Sequence, residues 1–163
     1  MRMVKVLFVC YGNICRSTMA EFLFKHFVEQ KGKSEQFYIE SAATSSEEVG
    51  SPVHVGTRKI LDRFNIDYSK KRARQIVKQD YDKFDYIICM DEKNIRALNR
   101  FYGEDVKNKI SKILDFTPLK RDVIDPWWAW AMDGVGNFEE TYDDIMLGIN
   151  AFYDLLIKRG EII

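Results

Sequence analysis

The amino-acid sequence predicts an α/β fold with helices on both faces of a parallel sheet, formed by a single domain over residues 1–163. Apolar, β-branched runs alternate along the chain with amphipathic helical stretches, and this alternation is typical of parallel sheets. A length of 163 residues is the usual size of one domain. The composition, with 46% hydrophobic and 31% charged residues, is sufficient for a buried core and a solvated surface.

The chain opens with a predicted central strand, followed by a turn and a helix. Residues 4–9 are nearly all apolar, as expected for a strand that is covered on both faces. Gly12 and Asn13 predict the turn. Thr18 and Glu21 have the spacing of a capping box, so a helix is predicted to begin there and to bury the apolar face that follows.

The alternation continues through the middle of the chain. Residues 37–40 are predicted to form the second strand, and Ser51 and Pro52 are predicted to start the next helix as its cap and first position. Residues 86–90 predict a third buried strand, and residues 92–100 predict the helix after it.

The last part of the chain contains a weaker strand and a clear helix. Residues 109–114 predict the fourth strand. From Phe138 to Leu156 apolar residues recur four and three positions apart, which predicts an amphipathic helix. Asn137 and Glu140 are predicted to cap this helix, and Gly160 is predicted to end it.

Reactive side chains are placed where the predicted strands end. One such residue follows each strand, and another lies in the loop leaving the last one. In chain order they are Cys10, Ser41, Asp91, Asp115 and Asp125. Ligands of parallel sheets bind beyond the carboxyl ends of the strands, so we expect these side chains to meet at one edge.

The segment between the first strand and the first helix predicts a phosphate-binding loop. It reads Cys10, Tyr11, Gly12, Asn13, Ile14, Cys15, Arg16, Ser17. Backbone N–H groups and the helix dipole attract an anion to such a loop. Gly12 permits close backbone approach, Asn13 tolerates a left-handed conformation, and Arg16 can hold two phosphate oxygens.

Cys10 is predicted to lie beneath the bound phosphorus and to act as the nucleophile. The field that binds an anion also stabilises a thiolate at neutral pH. Ser17 has two open interpretations, as a hydroxyl donor to the sulfur or as a helix cap.

Asp125 is the predicted general acid for the leaving oxygen. Trp127 and Trp128 follow it and are predicted, together with Tyr11, to form the wall of a crevice that removes water from the acid. Asp133 is the next candidate for the acid if Asp125 does not serve.

Together these motifs resemble the low-molecular-weight protein tyrosine phosphatases. The family signature of Cys, five residues, Arg and Ser stands here at residues 10–17, and its late acid motif stands at Asp125 and Pro126. Further similar stretches lie at residues 19–21, 40–42, 73–76 and 89–91. The resemblance therefore spans nearly the whole chain.

The resemblance implies a three-layer fold whose four-stranded parallel sheet has the flavodoxin-like order 2-1-3-4. It also implies a metal-independent phosphomonoester hydrolase that needs no cofactor and forms a cysteinyl-phosphate on Cys10. Arg16 and the loop amides would grip the phosphate, and Asp125 would donate the proton. The implied partners are phosphotyrosine-containing proteins or small aryl phosphates, with inorganic phosphate as the product.

The resemblance assigns supporting roles around the loop as well. In that family serines matching Ser17 and Ser41 brace the loop asparagine, and Asp91 is a further candidate for loop support. The cysteine matching Cys15 forms a reversible disulfide with the nucleophile, which protects Cys10 from irreversible oxidation.

The sequence departs from the family pattern in three places. Thr18 stands where family members usually have Pro, and Lys71 stands where a His often braces the loop asparagine. Residues 128–136 form a longer and more aromatic segment than usual. This segment could be a lid over the crevice, a partner-binding patch or a stretch that folds back onto the last helix.

Two alternative functions stay open. An arsenate reductase on the same fold would relay the reaction through a further pair of cysteines, but Cys89 has no downstream partner and is predicted to be a core residue. A non-catalytic phosphate-binding module would keep the loop without chemistry.

Composition excludes several other classes. With 25 basic and 25 acidic residues the formal net charge is zero, which gives no global attraction to nucleic acid or membranes. The basic run at residues 70–74 is predicted to be a solvated face, with a preference for acidic substrates as the alternative. Cys10 and Cys15 lack the second ligand pair of a zinc site. The odd cysteine count, together with the lack of an apolar run of about 18 residues, predicts a cytoplasmic protein, expected as a monomer or weak dimer.

Overall fold

The apolar runs of the sequence form a parallel sheet with the strand order β2-β1-β3-β4. The computed structural model describes residues 2–163. Its strands are β1 (Val4–Cys10), β2 (Phe37–Ala43), β3 (Tyr86–Cys89) and β4 (Ile110–Lys112). Because β1 pairs with both β2 and β3, its last residue lies in the middle of the carboxyl edge.

Helices cover both faces of this sheet. They are α1 (Arg16–Gln30), α2 (Val55–Asp62), α3 (Asp80–Lys83), α4 (Glu92–Tyr102), α5 (Trp127–Asp133) and α6 (Phe138–Lys158), with short 3-10 helices at Ser34–Gln36 and Ile113–Phe116. α1, α2 and α6 share one core with the sheet, and α3 and α4 pack on the other face. This three-layer arrangement confirms the predicted fold class. Within residues 2–163 no helix is both long and apolar enough to cross a membrane.

The central strand β1 is fixed from both sides by its alternating side chains. Val6 and Phe8 enter the core beneath α1 and α6, whereas Leu7 and Val9 enter the core beneath α4. All four are at most 1% exposed, and full burial of such a side chain stabilises by roughly 1.5–3 kcal/mol. The ring of Phe8 meets Phe24 of α1 edge-on, with centroids 5.9 Å apart. The strand end that carries the phosphate loop is therefore held in place.

The predicted capping box at Thr18 and Glu21 is wrong. α1 already begins at Arg16, so both residues lie inside the helix. The Thr18 hydroxyl donates to the backbone oxygen of Ile14, at 2.9 Å. Glu21 turns away from the helix terminus and accepts a hydrogen bond from Ser41, at 2.5 Å. The Thr18 hydroxyl is therefore engaged by the preceding turn of backbone, and Glu21 is engaged by a tertiary contact, so neither side chain caps the helix.

The predicted start of α2 at Ser51 is also wrong, because the helix begins at Val55. Nδ1 of His54 accepts the backbone N–H of Gly56, at 3.0 Å, and so caps the helix. Ser51 instead donates its hydroxyl to Glu48, at 2.8 Å. Burial and the nearby Arg58 charge, which both disfavour the imidazolium, lower the pKa of His54.

The end of the sheet and the last helix differ in detail from the prediction. β4 is shorter than predicted, and Asp115 lies in the following 3-10 helix, where it accepts the N–H of Lys112 at 3.0 Å. Asp115 therefore does not line the cavity described below, unlike Cys10, Asp91 and Asp125. α6 begins after Asn137 as predicted, but the Asn137 side chain makes no capping hydrogen bond.

The aromatic segment at residues 128–136 is largely helical and forms most of α5. Trp127 and Trp130 pack against the core that includes α6. The Trp130 ring meets His54 edge-on, with centroids 4.4 Å apart. Trp128 is 69% exposed. α5 therefore folds back through Trp127 and Trp130 and leaves Trp128 at the surface.

Gly148 lies where α6 packs against the 3-10 helix Ile113–Phe116. A Cβ added there would lie 2.5 Å from Cγ1 and 3.0 Å from the backbone oxygen of Ile113. Helix propensity alone would make Gly148→Ala stabilising by about 1 kcal/mol. We predict instead a loss of about 1–3 kcal/mol in the free energy of unfolding, measured in urea, because the core is overpacked. Gly148→Ala should cost less in an Ile113→Ala background, and equal costs in both backgrounds would contradict the assigned contact.

His54 makes the stability of the fold depend on pH. Because its pKa is lower in the folded chain than the ordinary 6.5, the folded state favours the neutral ring. The associated stability is present above pH 6.5 and is lost as the pH falls through the folded-state value. Asn can also cap the helix. His54→Asn should therefore gain stability relative to wild type as the pH falls from about 7.5 to about 5.5, roughly one unit on either side of the ordinary histidine pKa. His26→Asn is the matched control, and a wild-type-like pH profile for His54→Asn would refute this account.

Candidate active site

The predicted site residues gather at the carboxyl edge of the sheet. A cavity of about 790 Å³ opens there above the phosphate loop, which is the segment from Cys10 to Ser17. Its lining includes the predicted residues Cys10, Tyr11, Gly12, Ile14, Cys15, Arg16, Asp91, Asp125, Trp127 and Trp128. Asn13, Ser17 and Ser41 are buried behind this surface.

The loop delivers backbone N–H groups toward the Cys10 sulfur. Cys10 is the last residue of β1, and the N–H of Asn13 points at its Sγ over 3.3 Å. Among residues 2–163, no side chain caps the N-terminus of α1. The first N–H groups of a helix have no intrahelical acceptors, so this end of α1 offers them and its dipole to an anion.

Asn13 holds the loop in its shape. Its backbone is left-handed, with φ of 59°. Its Nδ2 donates to Oγ of Ser17 at 2.8 Å and to Oγ of Ser41 at 2.9 Å, and its Oδ1 accepts the backbone N–H of Arg74 at 3.1 Å. Both amide N–H groups and the amide oxygen are therefore satisfied, and they tie the loop to α1, to β2 and to the segment beside β2.

A buried carboxylate supports this network from below. Glu21 accepts the Ser41 hydroxyl and is also 3.0 Å from the Lys71 ammonium and 2.6 Å from that of Lys25. Lys71 additionally donates to the backbone oxygen of Ser41, at 2.9 Å, and makes no hydrogen bond to Asn13. The position that often carries His in the family therefore acts on the loop through Ser41. Sequence reasoning missed the role of Glu21, which it assigned to a capping box and to a stretch similar to the family.

Ser17 lies within hydrogen-bonding distance of the reactive sulfur. Its Oγ is 3.0 Å from Sγ of Cys10. Because the Oγ already accepts from Asn13, its own proton is free to point at a thiolate. The alternative that Ser17 caps α1 is wrong, since the helix begins one residue earlier, at Arg16.

Arg16 is a buried cation that is aimed by two acceptors. Its side chain is 2% exposed, and Nη1 donates to Oδ2 of Asp91 at 2.7 Å and to the backbone oxygen of Val123 at 2.8 Å. Nη2 lies 3.6 Å from Oδ2 of Asp125. Burial opposes the charge of Arg16, but the charges of Cys10, Asp125 and Asp91 prevail and raise its pKa. The guanidinium is therefore permanently charged beside the loop.

Asp91 connects this arginine to α4. One carboxylate oxygen accepts from Arg16, and the other accepts the N–H of Asn94 at 2.8 Å, which caps the helix. The Asn94 side chain in turn accepts the N–H groups of Met90 and Asp91. α4 is thus fixed relative to the phosphate loop by a reciprocal cap that the sequence analysis did not identify.

Asp125 faces the cavity, whereas Asp133 does not line it. The N–H of Trp127 donates to Oδ1 of Asp125 at 3.1 Å, which leaves Oδ2 toward Arg16. Asp133 accepts the N–H groups of residues 135–136, both at 2.8 Å. These hydrogen bonds lower the pKa of Asp133 and engage it in a turn. The geometry therefore favours Asp125 over Asp133 as a proton donor in this cavity.

Aromatic side chains form the outer walls. Tyr11 is 47% exposed and its hydroxyl donates to Glu47 at 2.6 Å. Trp127 and Trp128 stand perpendicular to each other, with ring centroids 5.0 Å apart. A flat aromatic group attached to a bound phosphate would meet these rings.

The other two cysteines are buried and free. Burial, followed by the charges of Cys10 and Asp125, raises the pKa of Cys15 well above its ordinary value. Burial also raises the pKa of Cys89, which is fully buried within β3. Both are therefore protonated thiols at neutral pH.

Comparisons with known proteins agree with this geometry. Residues 5–160 match the family model of the low molecular weight phosphotyrosine protein phosphatases. The chain is 40% identical to the low molecular weight protein-tyrosine-phosphatase YfkJ of Bacillus subtilis, over 98% of this chain and 100% of that protein. It is also 40% identical to the human low molecular weight phosphotyrosine protein phosphatase, over 91% of this chain and 93% of the human protein.

The solved structures give the same result. The crystal structure of YfkJ from Bacillus subtilis has a TM-score of 0.88 to this chain at 38% identity, and the match covers 98% of both chains. The resemblance first seen in the phosphate loop and the acid motif thus extends over the fold and the length of the sequence. This chain belongs to the low molecular weight phosphotyrosine protein phosphatase family.

Proposed function

We propose that Cys10, Arg16 and Asp125 carry out the hydrolysis of phosphotyrosine-type monoesters through a cysteinyl-phosphate intermediate. One observation carries this assignment. The Cys10 sulfur, the uncapped end of α1 and the buried Arg16 guanidinium converge on one cavity that Asp125 also faces. This arrangement supplies a nucleophile, an anion site and a proton donor together.

In the first step the phosphate dianion accepts hydrogen bonds from the loop N–H groups and from Arg16. The Cys10 thiolate attacks phosphorus, the bond between phosphorus and the ester oxygen breaks, and Asp125 donates its proton to the departing oxygen. Because the loop dipoles are already oriented, the charge that develops on phosphate oxygens is stabilised without reorganisation.

In the second step water attacks the phosphorus of the cysteinyl-phosphate. The Asp125 carboxylate accepts a proton from this water, and the bond between phosphorus and sulfur breaks. The Asn13 N–H points at the sulfur, and the Ser17 hydroxyl, 3.0 Å away, donates to the sulfur once it is a thiolate. Both groups stabilise the departing thiolate. Inorganic phosphate is released and the enzyme returns to its starting state.

We propose phosphotyrosine-containing proteins or small aryl phosphates as the substrates. The walls formed by Tyr11, Trp127 and Trp128 favour an aromatic leaving group. We further propose that the protein acts as one domain, as a monomer or weak dimer, in a reducing cytoplasm where the Cys10 thiol persists. Cys15 is proposed as the redox partner of Cys10.

Replacement of the nucleophile should abolish turnover. Cys10→Ser is expected to lower kcat for p-nitrophenyl phosphate by about 10⁴-fold or more, because the hydroxyl is not ionised at neutral pH. Cys89→Ala is the matched control and should keep wild-type kcat. A metal chelator should leave the wild-type rate unchanged. Substantial turnover by Cys10→Ser would refute the covalent mechanism.

Replacement of the acid should have an effect that depends on the leaving group. Asp125→Asn is expected to lower kcat/KM for phenyl phosphate by about 10²–10⁴-fold. The loss should be smaller for p-nitrophenyl phosphate, because nitrophenolate leaves without a proton. Asp133→Asn is the control and should match wild type for both esters. Equal losses for the two esters would assign Asp125 a role other than proton transfer.

A further inference from the structure

The cavity extends well beyond the phosphate loop, and its outer part contains charges of both signs. Arg16, Asp91 and Asp125 pair with one another at the loop. The remaining charged side chains of the lining are Glu47, Glu48, Lys93, Arg96 and Arg100. The outer cavity thus contains carboxylates and cations that do not belong to the phosphate site.

The strand order of the sheet places the carboxylates and the cations of the outer cavity on opposite sides of the phosphate loop. Glu47 and Glu48 follow β2, whereas the three cations belong to α4, which follows β3. β1 and the phosphate loop lie between those two strands. Since neighbouring strands are about 4.8 Å apart, the two charged groups begin roughly 10 Å apart, on opposite sides of the loop.

The cations form a row along one face of α4. Lys93, Arg96 and Arg100 are spaced three and four residues apart, which places them on the same side of the helix. All three are exposed. At about 1.5 Å per residue this α4 basic row is roughly 10 Å long, which equals about three residues of an extended peptide.

The α4 basic row has no carboxylate partner within residues 2–163. The side chains of its three residues form neither a salt bridge nor a hydrogen bond with that part of the chain. Nearby cations are engaged in such pairs. Lys112 lies 3.0 Å from Asp122 and 3.4 Å from Glu92, and Arg121 pairs with Asp144 at 2.8 Å. Three unpaired cations on a wall of the catalytic cavity are therefore available to a ligand.

The row is also held at a fixed position relative to the phosphate site. Asp91 binds Arg16 through one oxygen and caps α4 through the other. A substrate whose phosphate occupies the loop would therefore present its flanking residues to the row in a defined register. This preorganisation lowers the ordering cost of binding.

We propose that the α4 basic row binds carboxylate side chains on one flank of the phosphotyrosine in a polypeptide substrate. The inference rests on the proposed function and names its substrate class. Acidic residues within about three positions of the phosphotyrosine, on the flank that lies against the row, strengthen binding of the substrate. Glu47 and Glu48 repel acidic residues on the other flank, and this repulsion also disfavours a uniformly anionic ligand such as nucleic acid.

The test uses two phosphotyrosine peptides of the same composition. One has glutamates before and lysines after the phosphotyrosine, and the other has the reverse order. Each kcat/KM is divided by the value of the same variant for p-nitrophenyl phosphate. Wild type should prefer one peptide by about threefold to tenfold, mainly through KM. Arg96→Glu should cancel or reverse this preference.

Lys158→Glu is the matched control, because it makes the same charge change elsewhere. Lys158 is exposed and ends α6, a helix of 21 residues that starts near the cavity. Lys158 therefore lies roughly 30 Å from the start of α6. Because the charge change is remote from the α4 basic row, Lys158→Glu should keep the peptide preference. Added salt should weaken the preference, since exposed charges are screened over about 10 Å at 0.1 M ionic strength.

Each failure has a distinct meaning. Equal rates for the two peptides, a preference that survives in Arg96→Glu, or a preference insensitive to salt would overturn the inference and leave the phosphatase activity intact. If neither the peptides nor p-nitrophenyl phosphate are hydrolysed, the proposed function and the inference both fall.

Discussion

The site depends on the hydrogen bonds of the buried Asn13 side chain. Its left-handed backbone would cost most residue types about 1–2 kcal/mol, and its three hydrogen bonds, each worth about 0.5–1.5 kcal/mol, offset that cost. They join α1, β2 and the segment at Arg74, which itself is held beside β2 by the bridge from Ala43 to Gln75. The loop N–H groups are therefore oriented before any ligand arrives.

Burial of Arg16 at the same edge makes the anion site strong without a basic surface. Removing a guanidinium from water is costly, but Asp91 and the Val123 oxygen satisfy one end of it. The other end remains near Asp125 and the cavity. The net charge of the chain is zero, yet Arg16 and the N-terminus of α1 produce a local positive potential at the cavity. The unpaired cations of the α4 basic row produce a second positive region further out.

Much of the fold and of the inner site could be predicted from the sequence because their signals are local. The apolar runs indicate the strands, and a glycine and an asparagine after β1 indicate the phosphate loop. The predicted starts of α1 and α2 are wrong because contacts beyond the local pattern decide them, whereas α4 and α6 begin where the sequence predicts. Ser41 and Lys71 engage Glu21, and His54 caps α2 in place of Ser51. The basic run, predicted to be a solvated face, instead places Lys71 against Glu21 and pairs Arg74 with Asp80.

We propose that phosphate is transferred to Cys10 inside a loop that is already formed. This transfer can be detected by intact-protein and peptide mass spectrometry after rapid acid quench, during turnover of p-nitrophenyl phosphate. We predict a transient phosphoryl adduct on the peptide that contains Cys10. We also predict that this adduct accumulates in Asp125→Asn, where activation of the attacking water is lost. An adduct on another residue, or turnover without any adduct, would contradict this proposal.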